Sequence, residues 1–163
     1  MAFKFPAISS NEPLPANKDA QNRLSSLSKP SSLTLEPKDV PEIPEIARKL
    51  SCITYSLDVN PWKYDNFKLV FDLDKDYAEF SYTAKVNDVV NYRVGLDGVH
   101  RLTKTNNNTY AALGAWTSPN TFSVDCEIIG YTTRDKWCLT FEDDEILVEE
   151  VGVTGAYSYG GKK

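Results

Sequence analysis

Ser26-Leu27-Ser28-Lys29 is the stretch whose residue types and spacing come nearest to a nucleophilic motif, S-x-x-K. That chemistry needs the serine at a buried helix start and the lysine one turn later to take its proton. Here Lys29 adjoins Pro30, which stops a helix, in a segment with no core to bury the pair. Lys104-Thr105-Asn106 is a degenerate K-T-G that runs into an Asn-rich turn. Asp72-Leu73-Asp74-Lys75-Asp76 opens like a calcium loop, but the sixth and twelfth places, which need Gly and Glu, hold Tyr77 and Thr83. It reads as a charged hairpin turn, as does Glu142-Asp143-Asp144-Glu145. Cys52, Cys126 and Cys138 form no C-x-x-C pair, and there is one histidine, so neither a metal site nor a disulfide framework is expected. The three cysteines read as small buried hydrophobes in a reducing compartment. No catalytic residue, metal or cofactor is assigned.

The remaining candidates suit binding. His100 and Arg101 follow Gly95-Leu96-Asp97-Gly98-Val99 on a short predicted strand. Alternation places His100 with Leu102 on one face and Val99, Arg101 and Thr103 on the other. In a closed barrel one of the two polar residues then points inward, where it would anchor a ligand in an apolar cavity. The competing reading is an exposed or hydrogen-bonded residue at a strand end. Tyr92, His100, Arg101 and Trp116 are the candidate ligand-binding residues, and an enclosed cavity near Tyr92, Arg101 and Trp116 is the expected sign of binding. Trp116 and Trp137 also read as core, whereas Trp62 lies in a loop after the first strand, placed to plug the barrel end or contact a partner.

The elements that position these residues follow from period. From Ser51 onward apolar residues alternate with polar ones: Phe67, Leu69, Phe71; Ala78, Phe80, Tyr82; Val90, Tyr92, Val94; Phe122, Val124, Cys126, Ile128; Trp137, Leu139, Phe141; Ile146, Val148. Each set marks a strand with one buried face. About ten strands result, over 51–58, 67–73, 77–84, 88–94, 99–103, 110–116, 121–129, 135–142, 145–151 and 155–159, joined mostly by short turns. The expected fold is mainly β: an antiparallel up-and-down, lipocalin-like barrel of about 8–10 strands, with a β-sandwich as the alternative.

Upstream the chain differs. Seven of the nine prolines precede residue 45, all eight glycines follow residue 94, and residues 1–50 hold two of the nineteen aromatics. Residues 1–50 carry a net charge of +1 and residues 51–163 one of −6. Residues 1–50 therefore read as a Pro-rich arm with one or two short helices, one capped by Asn17 or Asp19 and one within 41–50, and residues 51–163 as the barrel domain. The 163 residues carry a net charge of −5 and a pI near 4.9. That balance argues against nucleic-acid binding, which needs a basic surface. No apolar run reaches the roughly 18 residues of a membrane span, and Met1–Ser10 does not resemble a secretory signal. A cytoplasmic or unassigned location is expected.

Pro6–Pro30 resembles the connector that follows the catalytic domain in bacterial β-lactamase-related serine hydrolases, where a P-L-P-x-N/D pattern precedes a Leu-rich helix. Downstream, Ser51–Trp62, the Gly95–Gly98 turn and Tyr110–Phe141, with its G-x-W, N-T-F and I-G pieces, are similar to the same proteins' C-terminal β-domain. The resemblance covers most of the chain. It implies a lipocalin-like module, excised or separately encoded, without the catalytic serine, lysine and tyrosine of the upstream domain. The expectation is a non-catalytic accessory barrel that packs against or gates a serine-hydrolase catalytic domain in cis or in trans. The alternative is a binding module that holds a small apolar or amphipathic ligand.

Overall fold

The computed structural model describes residues 17–27, 37, 39–40, 42–72, 74–84 and 88–163. The chain divides into two compact units, 1–34 and 35–163. In the first, α1 (Lys18–Leu27) starts at Asn17, whose Oδ1 accepts the Ala20 N–H at 2.9 Å. This is the side-chain cap that frees a helix start from an unsatisfied donor. Ser26 lies in α1, and Lys29 lies outside the described residues.

The second unit holds α2 (Glu45–Leu50) and ten strands: β1 (Thr54–Leu57), β2 (Tyr64–Phe71), β3 (Tyr77–Ala84), β4 (Val89–Gly95), β5 (Arg101–Lys104), β6 (Thr109–Ser118), β7 (Thr121–Ile128), β8 (Arg134–Glu142), β9 (Glu145–Gly152) and β10 (Gly155–Lys162). They form one sheet in the order β4-β3-β2-β1-β10-β9-β8-β7-β6-β5. Every neighbouring pair is antiparallel, and the sheet curls round until β4 meets β6 at Gly95 and Leu113. The architecture is therefore the expected up-and-down barrel and not a sandwich. Closure leaves one weak seam, between β4 and β5, bridged by the Arg93 N–H donating to Thr103 Oγ1 at 2.9 Å.

Helix α2 belongs to this unit, although it lies within the 1–50 segment expected to form the arm. Its spacing brings Ala47 and Leu50 into the core, at 0% and 4% exposure. Ser51 then fastens the helix end to β2: its Oγ accepts the Phe71 N–H at 2.9 Å and donates to Phe71 O at 3.2 Å. Cys52 adopts φ 71° in this turn, so regular β1 begins only at Thr54. Cys52 is exposed, in contrast to the buried hydrophobe expected there. Cys126 is buried and Cys138 half-buried, and all three are free thiols.

The inward face is a column of rings. Phe71 on β2 meets Phe122 on β7 with centroids 5.2 Å apart, and Phe80 on β3 meets Trp137 on β8 at 5.4 Å. In the strand order each pair joins opposite walls. Rings in contact across the barrel leave no room for a ligand between them at those levels. The barrel centre is therefore a packed core of the kind that buries about 150–250 Å² per aromatic side chain.

Candidate functional site

The sequence-derived candidates do not converge. Tyr92 is 2% exposed and stacks on Phe80 and Tyr110 at 5.2 and 5.0 Å. Trp116 packs on Phe71 and Phe122 nearer the α2 end, at 5.6 and 5.2 Å, with its Nε1 buried and without an acceptor. Of the pair at 100 and 101, Arg101 takes the inward side and Leu102 the exposed one. Arg101 is already neutralised: its guanidinium reaches Asp97 and Asp76 at 2.7 Å each and donates to Val99 O at 3.0 Å. Burial alone would raise the Asp97 carboxyl, but hydrogen bonds from Arg101 and the Val99 N–H outweigh it and hold the group below its usual range. His100 is half-buried, and Asp125 on β7 is gripped by Arg134 with two hydrogen bonds of 3.0 and 2.8 Å.

Polar chemistry gathers instead at the end away from α2. Trp62 stands at that end, in the loop between β1 and β2. Its loop is built on Asn60, which is 7% exposed, donates to Asp58 O and Tyr64 O at 2.9 and 2.7 Å, and accepts the Tyr64 N–H at 3.0 Å. The Trp62 ring meets Tyr157 edge-on at 5.6 Å. Beneath it lies Glu150, which the alternation of β9 turns inward after Ile146 and Val148. Glu150 is 2% exposed, and the Tyr159 hydroxyl donates to its Oε2 at 3.2 Å. The Trp62 Nε1 is buried and acts on the same carboxylate without reaching hydrogen-bond geometry.

Asp135 is the second inward carboxylate, one alternation step before Trp137 on β8. It lies over Gly152, where any Cβ would collide with Oδ1. Burial raises the Asp135 carboxyl, and burial together with the charge of Asp135 pushes Glu150 up from 4.5 to about 7. Among the described residues no ion pair reaches either group. Tyrosines line the adjoining interior. Tyr64 and Tyr82 stack against Trp137 at 5.5 and 5.9 Å, and burial raises both phenols well above their ordinary value. Cys126, beside Asp135 in the β7–β8 register, is pushed to about 12 by burial, which leaves it an inert thiol. Among the described residues no three His, Cys, Asp or Glu side chains come together as a metal site.

Fold and interior together define a lipocalin- and fatty-acid-binding-like β-barrel with short N-terminal helices. Solved structures of that class align with it. The fatty acid-binding protein of Drosophila melanogaster brain tissue matches at TM-score 0.54 and 10% identity, over 70% of this chain and 99% of that one. A secretory abundant heat soluble (SAHS) protein from Ramazzottius varieornatus matches at 0.51 and 11%, over 60% and 69%. Secretory abundant heat soluble protein 4 from the same organism matches at 0.50 and 9%, over 62% and 70%. At such identities the likeness is one of fold alone. No family model matches the chain, and no curated protein matches it in sequence. Nothing in these comparisons supports the expected tie to β-lactamase-related serine hydrolases.

Proposed function

We propose that this chain is a binding barrel that takes a small amphipathic ligand at the end closed by Trp62. The observation that carries this reading is Glu150, an inward carboxylate at 2% exposure with no cation against it among the described residues. An unpaired buried charge costs a fold several kcal/mol, and such groups cluster where a protein meets a ligand. The packed centre directs the site to the barrel end, where a ligand displaces Trp62 and keeps its apolar part on the tyrosine-rich wall. No observation favours packing against a serine-hydrolase domain over this reading.

Titration of the full chain with short amphiphiles tests it, with intrinsic tryptophan fluorescence as the signal. Saturable binding is expected, with a fluorescence change that shrinks in Trp62→Phe while Trp116→Phe retains it. If amine, alcohol and carboxylate amphiphiles all fail to saturate the protein, the reading is wrong.

A further inference from the structure

Resting on that reading, we infer that the ligand's polar end is cationic: an organic amine whose ammonium sits between Glu150 and Asp135. The register pairs Trp137 with Glu150 and Lys136 with Val151, so Asp135 falls opposite Gly152 and diagonal to Glu150 on the inward face. Diagonal neighbours across an antiparallel pair stand roughly 7 Å apart. That spacing lets one ammonium donate to both carboxylates at about 2.8 Å each. Gly152 contributes no side chain to fill the space beside Asp135.

The groups around the two carboxylates are neutral. Tyr159 on β10 donates to Glu150, Tyr64 on β2 feels both carboxylates, and Trp62 faces Glu150 from the loop. None of these is a cation, so a carboxylate ligand would face Glu150 and Asp135 with no compensating charge from them. The rings of Tyr64, Tyr82 and Trp137 add negative faces suited to an ammonium. A crevice of about 150 Å³ opens between Asp88–Val90 and Thr105–Asn108, at the weak β4–β5 seam. Tyr110 lines it, beside the Tyr92 ring.

The experiment is calorimetric titration of the full chain with octylamine, octanol and octanoate at pH 8 in about 0.3 M salt, which screens the protein's net negative charge. Octylamine is expected to bind at least about tenfold tighter than octanol, with octanoate weakest. Glu150→Gln should bring the amine-to-alcohol ratio close to one, and Asp135→Asn should lower it. Octanoate binding as tightly as octylamine overturns the inference and leaves the binding barrel standing. An amine preference that survives both substitutions, or vanishes in salt, overturns the site. Failure of all three probes removes the binding reading itself.

Discussion

Replacing Glu150 with glutamine should make the protein more stable at pH 8 and flatten its response to pH. One pKa unit corresponds to about 1.4 kcal/mol. A rise from 4.5 to about 7 therefore sets the ionised folded state on the order of 3 kcal/mol above one with an ordinary carboxyl. Below pH 4.5 the group holds its proton folded and unfolded, and nothing is lost. As pH climbs from 4.5 to about 7 the unfolded chain ionises first, so stability falls, then levels off above the folded value. Asp135, also raised, adds to the fall. Asp97 and Asp125 are held below their usual range, so their contribution is lost only in stronger acid, outside this window. Glutamine removes the charge but brings amide donors that need partners, at a cost of about 1 kcal/mol. The net gain at pH 8 is then about 2 kcal/mol, a rise in Tm of roughly 4–8 °C. Urea unfolding at pH 4.5, 6 and 8 measures it. Wild-type stability that does not fall from pH 5 to 8, or a variant no more stable at pH 8, would refute the reasoning.

Gly114→Ala should destabilise by about 1–3 kcal/mol in the same assay. A Cβ there would meet Phe122 Cζ at 2.6 Å, Val94 Cγ1 at 2.8 Å and Ser123 O at 2.9 Å, between two fully buried side chains and a strand backbone. Titrating native protein with Ellman's reagent should label Cys52 first. Cys126 should react only after unfolding, since it is buried and its thiol is pushed to about 12. Fast labelling of Cys126 in the native state would mean that the β7–β8 wall opens far more readily than its packing implies.

The ten strands were legible because each buries alternate residues, and a period of two survives in the sequence whatever the strand touches. The exceptions have local causes. A bulge between Tyr64 and Asn66 breaks the alternation that would have announced the start of β2. The left-handed turn at Cys52 shortens β1. The sequence could say that one of His100 and Arg101 faces inward, but not that Asp97 and Asp76 would already occupy the arginine. Both inward carboxylates extend the inward apolar series of their strands by one step, Asp135 ahead of Trp137 on β8 and Glu150 after Val148 on β9. Following hydropathy stops at Trp137 and Val148, whereas carrying the period one step further reaches Asp135 and Glu150. That Phe71 and Phe122 meet across the barrel was not legible at all, because no period relates residues on opposite walls.

The place of β1 in the sheet bears on how the molecule is made. It pairs on one side with β2 and on the other with β10, at Ser56–Lys162 and Leu57–Gly161. The hairpins from β2 to β4 and from β5 to β10 can form from near neighbours, but the ring shuts only when the first and last strands meet. Such distant pairing is entropically late and slows folding relative to local hairpins. Until then β1 and β10 each present an unpaired edge, beside half-formed walls rich in exposed aromatics. Misfolding by strand exchange between two chains is therefore most favoured at that junction.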